Sequence, residues 1–179
     1  MDSSGGAKKL EQYAMTGDDM AKVLGKIKIT KYPDLCKHSI DSLFDGQGRC
    51  IILFLVSDQD SGHWMCLIRR NHSIEVFDSF GVAIDGERTW LSAEKKMQLH
   101  EAAPMLHELL DGFVNSGGAV THNTHKLQKD DTNTCGSHVC CRLLHKDTPI
   151  DEYARQLKSQ GDPDAFVAQY VVGSLLHKS

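Results

Sequence analysis

The hydrophobic pattern is strongest at Cys50-Ile51-Ile52-Leu53-Phe54-Leu55-Val56, seven apolar residues in an unbroken run. Such a run is what a strand buried on both faces shows, and it predicts a strand over 50–57. A polar loop over 58–62 follows. His63 to Arg69 (HWMCLIR) and Ser73 to Asp78 (SIEVFD) predict two further strands joined by a short turn at Arg70-Asn71-His72. Three consecutive strands with tight links predict an antiparallel meander. Met20, Val23 and Leu24 make the apolar face of a helix over 18–25, capped by Thr16 or Asp18 and ended by Gly25. Between Ile27 and Gly48 the pattern is irregular, with turn signals at Tyr32-Pro33 and Asp45-Gly46. Leu99, Met105, Leu106, Leu109, Leu110 and Phe113 stripe a helical region over 92–114, which Pro104 divides in two. Ser116-Gly117-Gly118 breaks the chain, and 119–127 alternates like an edge strand. Three helices finish the sequence. The first runs from Thr134-Cys135 to His145, and the second has Thr148 as cap with Pro149 at its first position. The third starts at Asp162-Pro163 and turns Phe166, Val167, Tyr170, Val171 and Leu175 inward. The expected fold class is α+β: a small, mainly antiparallel central sheet surrounded by helices. It forms a single domain over 1–179, with 1–9 as a flexible leader.

Composition narrows the class. With 179 residues, 40% of them hydrophobic, the chain can bury a core without metal or disulfide staples. Seven apolar residues fall far short of the roughly 20 that a membrane helix needs, and MDSSGGAKKL carries no secretory apolar stretch. A soluble intracellular protein is expected, with its six cysteines reduced. The formal charge of −4 argues against general binding to phosphate backbones.

Candidate chemistry centres on Cys135 in Thr-Asn-Thr-Cys-Gly-Ser-His. Polar residues before it and Val139, Leu143 and Leu144 after it place its sulfur in the first turn of a helix. There the unpaired N–H groups and the helix dipole favour a thiolate. Gly136 leaves room beside that sulfur for a substrate carbonyl. A buried cysteine that happens to open a helix is the competing reading. His63, in Gly62-His63-Trp64, stands where a loop meets a strand, although ten histidines are present and His138 has an equal claim. Asp78 ends the strand after that of His63. If the two pair antiparallel, Asp78 and His63 are neighbours across the ladder and the carboxylate can hold the imidazole; capping the turn over 79–81 is its simpler job. Gln128, seven residues before Cys135, offers the neutral amide donor that an oxyanion hole requires, completed by the Cys135 N–H.

In this order, Gly-His-Trp, then Phe-Asp-Ser-Phe-Gly at the end of the next strand, then Gln, six residues and Cys-Gly, the set resembles the cysteine proteases of the adenovirus endopeptidase (adenain) and SUMO-protease clan. The resemblance covers His63 to about Leu144. It implies Cys135 as nucleophile, His63 as general base and acid, Asp78 as the residue orienting the imidazole, and Gln128 as oxyanion donor. Trp64 would screen the thiolate–imidazolium pair and, with Gly136, line the substrate cleft. No cofactor and no metal are implied. Compactness and the Asp-Ser-Phe-Gly segment look more like the maturation proteases of adenovirus, virophages and Polinton-like viruses. This implies capsid or core precursor proteins as polypeptide substrates, cut after small residues, often Gly. Ser3-Ser4-Gly5-Gly6-Ala7 resembles such a site in the chain itself. A monomer is expected in host cytoplasm, viral factory or virion, with no membrane and no nucleic acid required and with a peptide activator as an option.

Two other functions compete. One is an isopeptidase of the deubiquitinase or deSUMOylase type, on the same machinery; an acyltransferase on the same scaffold is a variant. The other is a non-catalytic zinc module built on Cys135-x-x-His138-x-Cys140-Cys141 and His145.

Overall fold

The computed structural model describes residues 3–57 and 61–177, so part of the expected polar loop and the first two leader residues lie outside the described residues. The apolar run becomes β2, Arg49–Leu55, buried at every position. It pairs antiparallel with β3, Gly62–Arg70, from Arg49↔Ile68 to Leu55↔Gly62. Gly62 is required at that closing rung, because a Cβ there would stand 1.8 Å from the Phe54 carbonyl oxygen. β3 then pairs antiparallel with β4, Ser73–Phe77. This is the expected meander.

Two short strands complete the sheet, in the order β1-β2-β3-β4-β5. β1, Ile29–Lys31, runs parallel to β2 in the region read as irregular; β5, Ala119–His122, runs parallel to β4. The edge strand expected over 119–127 therefore stops at 122. There Asn123 folds back: its side chain accepts from the His125 N–H (2.9 Å) and donates to the Asp78 carbonyl (2.6 Å).

Alternation along the strands divides the core into two layers. Ile51, Cys66, Ile68 and Phe77 face helices α2 (Gly17–Leu24), α5 (Cys135–Leu144), α6 (Ile150–Ser159) and α7 (Pro163–Val167). Ile52, Phe54, Leu67 and Val76 face Tyr32, Leu35 and helix α4, Met105–Asn115. The helical region over 92–114 is split as expected, with α3, Ala93–Gln98, separated from α4 by the segment around Pro104. Thr16 caps α2 through a reciprocal box with Asp19. α5 is fastened to the sheet by buried Arg142, whose Nε and Nη2 donate to the two carboxylate oxygens of Glu75 on β4 at 2.8 and 2.9 Å.

Two expectations need correction. Residues 3–9 are no frayed leader: Ser3–Glu11 forms helix α1, which lays Leu10 against the core and accepts a bond from Asn133 N–H at the Glu11 carbonyl (2.9 Å). The Ser-Ser-Gly-Gly-Ala segment belongs to that helix. At the other end, α7 continues as a π-helical stretch, Ala168–Gly173. The wider turn rotates the buried face, so that Val171, Val172 and Gly173 point inward while Tyr170 is 43% exposed. No helix among the described residues is long and apolar enough to cross a membrane.

Candidate active site

Three elements deliver side chains to one end of the sheet. β3 supplies His63 from its second residue, opposite Phe54 of β2. The β3–β4 ladder ends at Cys66↔Phe77, so Asp78 is the first residue past it rather than a rung across from His63. The expected contact forms all the same, through side chains: His63 Nε2 lies 2.5 Å from Asp78 Oδ2, and both groups are buried. The other Asp78 oxygen, Oδ1, accepts from the Phe80 N–H at 2.7 Å. The His63 imidazole is also hydrogen-bonded to Cys135. With Nε2 taken by Asp78, Nδ1 is the nitrogen left for the sulfur.

The electrostatics follow from these contacts. Burial by itself would lower the His63 pKa; the hydrogen bonds and charges of Asp78 and Cys135 outweigh it and raise the value to about 10. Burial would likewise raise Asp78, but its bonds from His63, Glu87 and the Phe80 N–H hold it below the usual carboxylate range. The pair is thus an imidazolium against a carboxylate.

Cys135 is half-buried at the first position of α5. Thr134 precedes it but makes no capping bond. Its hydroxyl turns to Asp164, a buried carboxylate that also accepts from the Lys129 N–H (2.9 Å) and lies 3.0 Å from His138 Nε2. His138 is therefore committed on the inner side of α5. Gln128 is buried too. Its Oε1 accepts from the Ser79 hydroxyl (2.6 Å), its Nε2 donates to the Thr132 carbonyl (3.1 Å), and its backbone N–H donates to the Ser79 carbonyl (3.0 Å). One Nε2 hydrogen remains uncommitted by these bonds.

Gly136 sits where α5 packs closely on its neighbours. A Cβ there would come within 2.8 Å of Met15 Cβ and 2.9 Å of Met20 Cε, so its smallness serves the packing of α5 against the 15–20 segment. Trp64 borders the same spot: its Nε1–H donates to the Met15 carbonyl (2.9 Å). The rings that touch the imidazole are others. Phe80 stacks on His63 at 5.1 Å between centroids, and Trp90 meets it edge-on at 5.2 Å. Both also line a cavity of about 380 Å³ with Val82, Lys126 and Asp130.

Sequence reading missed Glu87 entirely. It lies on a 3-10 turn, Gly86–Trp90, is 1% exposed, and hydrogen-bonds to Asp78. Among the described residues, the one grouping of ligand-type side chains close enough to share an ion is His63, Asp78 and Glu87. It includes no cysteine. Of the ligands of the zinc-module reading, Cys141 Sγ and His145 Nδ1 lie 3.9 Å apart, but His138 faces Asp164 and Cys140 is fully buried in the core. That reading is withdrawn.

No protein-family model matches the chain. It is 31% identical over 153 residues to uncharacterized protein V9 of Sputnik virophage, covering 83% of this chain and 85% of that protein, and it belongs to the same family. Among solved structures, the SUMO protease Ulp1 with its catalytic cysteine oxidised to a sulfinic acid is 16% identical, covering 95% of this chain and 76% of that one at a TM-score of 0.35. The C-terminal Ulp1 protease domain in complex with Smt3, the yeast ortholog of SUMO, is 13% identical, covering 94% and 76% at a TM-score of 0.33.

Proposed function

We propose that the chain is a cysteine endopeptidase that cleaves polypeptides by acyl transfer. The observation that carries this reading is the convergence of Cys135, at the start of α5, on an imidazole held by a buried carboxylate. In the proposed reaction Cys135 Sγ attacks the scissile carbonyl and the C–N bond breaks as His63 gives its proton to the departing amine. A thioester remains, and water activated by His63 hydrolyses it, returning the thiol. Asp78 keeps the imidazole aimed and charged. The oxyanion is received by the Cys135 N–H, beside which no side-chain cap competes, and by the free Nε2 hydrogen of Gln128. Trp64 covers the α5 side of the sulfur, and the Phe80–Trp90 pair excludes water from the imidazole.

Kinship with a virophage protein supports a viral setting. Capsid or core precursor proteins cut during particle assembly are the substrate class we propose, with the enzyme acting as a monomer in the infected cell or the virion. The charge of −4 favours activity without nucleic acid. Profiling a peptide library with wild type and Cys135→Ala tests this. We expect cuts after small residues in the wild type and none in the variant, with circular dichroism unchanged. Cleavage surviving in the variant overturns the reading, and selective hydrolysis of ubiquitin or SUMO C-terminal reporters would replace endopeptidase with isopeptidase.

A further inference from the structure

Behind the proposed Cys135–His63–Asp78 set lies a second carboxyl, and the inference drawn from it rests on that reading. Glu87 reaches the site because its turn is anchored from behind. Asp85, in left-handed backbone at φ 61°, accepts from the Tyr32 hydroxyl (2.6 Å) and from the His107 N–H at the start of α4 (2.8 Å). Arg88 ties the same turn to the carbonyls of Glu101 and Ala102. Glu87 is thereby pressed against Asp78: polar atoms of Glu87, Asp78 and His63 all lie within 4.8 Å of one another, and Glu87 Oε1 is buried with no hydrogen-bond partner.

We propose that Glu87 is a positioning residue whose carboxyl donates its O–H to Asp78, draws charge from that carboxylate and so keeps it from taking the proton of His63. Two carboxylates in contact, out of water, cannot both be ionised. The ionisable groups facing Glu87 are Asp78 and His63; the single imidazolium is already matched by Asp78. Burial, then the Asp78 charge and hydrogen bond, push Glu87 well above the ordinary glutamate range, which keeps it the donor at neutral pH.

Iodoacetamide alkylation, read by mass at each cysteine across pH 4–9, provides the test without a substrate, with exposed Cys36 as the internal control. Wild-type Cys135 should react faster than Cys36 at pH 6; if it does not, the underlying site reading fails, and this inference with it. Given that hyper-reactivity, Glu87→Gln, which keeps a donor, should leave the acid limb of the Cys135 profile in place. Glu87→Met, which keeps bulk but no donor, should move it upward by about one pH unit, a roughly tenfold loss on the limb. Superimposable profiles in all three proteins overturn the role of Glu87 alone. So does relief or loss of reactivity on adding a chelator, which would make the trio a metal site. Should Glu87→Met not fold, infrared spectra decide: a component of the protonated-carboxyl band at pH 7 that Glu87→Gln removes supports the proposal, and a band that Glu87→Gln leaves unchanged overturns it.

Discussion

The Ser79 hydroxyl donates a 2.6 Å hydrogen bond to Oε1 of Gln128, joining the residue after Asp78 to the residue proposed to receive the oxyanion. An amide can present either of its ends, and this bond decides which: with oxygen turned to Ser79, Nε2 must face the other way. Ser79→Ala should let the amide flip and lower kcat about tenfold with KM little changed. Gln128→Ala should cost on the order of 100-fold, the usual effect of removing one oxyanion donor. Steady-state rates on the best library peptide check both, and an unaltered kcat in Ser79→Ala would detach that hydroxyl from the site.

Arg142 and Glu75 carry α5, and with it Cys135, onto the sheet. Arg142 also donates to the carbonyls of His145 (2.7 Å) and Thr148 (2.8 Å) and lies over the Tyr153 ring. Arg142→Met leaves Glu75 buried with Arg70 as its remaining cation, at 3.1 Å. The expected loss is about 3 kcal/mol, or a Tm lower by roughly 6–12 °C for a chain of this size. The double variant Arg142→Met/Glu75→Leu should recover part of it. Thermal melts read both, and a double variant no better than the single would contradict the uncompensated-charge account.

Glu101 connects stability to pH. Its Oε1 accepts from the Leu55 N–H at 2.9 Å, while Oε2 is buried without a partner. Burial, only partly offset by that N–H, raises its pKa to about 7 from 4.5. A raised folded value means that the contribution is full below about pH 4.5 and is lost as pH rises through 7. Glu101→Gln keeps the acceptor for Leu55 and carries no charge. Relative to it, the wild type should lose several degrees of Tm between pH 5 and pH 8. Parallel Tm–pH curves for the two proteins would contradict this.

Gly136 gives a packing test. Gly136→Ala must displace Met15 or Met20 to admit one methyl group, which costs about 1–3 kcal/mol in a filled core. Urea denaturation measures the cost; a variant as stable as the wild type would mean that the α5 terminus has slack.

Much of this was legible in the sequence, for local reasons. β2, β3 and β4 announce themselves because burial on both faces leaves apolar runs, and α7 because Asp162 caps it with Pro163 at its start; α5 and α6 begin near the expected places but without the capping bonds expected of Thr134 and Thr148. β1 and β5 span three and four residues and are partly exposed. β5 showed as alternation over 119–127, though not where it stops, while the strand character of β1 comes from the β2 neighbour it pairs with, which no local pattern records. His63, Asp78 and Cys135 were singled out as candidates through their order along the chain. Glu87, Phe80 and Trp90 were not assigned to the site, because nothing local in 80–90 ties them to His63. The anchoring of Asp85 by Tyr32, 53 residues earlier, and by the His107 N–H, with Arg88 tied to the carbonyls of Glu101 and Ala102, turns that segment inward. The inward face of the last helix was misjudged for a different reason: a π-helical turn breaks the 3.6-residue period on which the reading relied.

The account stands on covalent chemistry at one sulfur, and trapping the intermediate tests it most directly. Wild-type protein mixed with a cleaved peptide, quenched in acid and measured by intact mass should carry the acyl fragment of that peptide. The adduct should map to Cys135, be released by hydroxylamine, and be absent from Cys135→Ala. Peptide cleavage with no adduct at Cys135, or an adduct that persists in the alanine variant, would contradict the account.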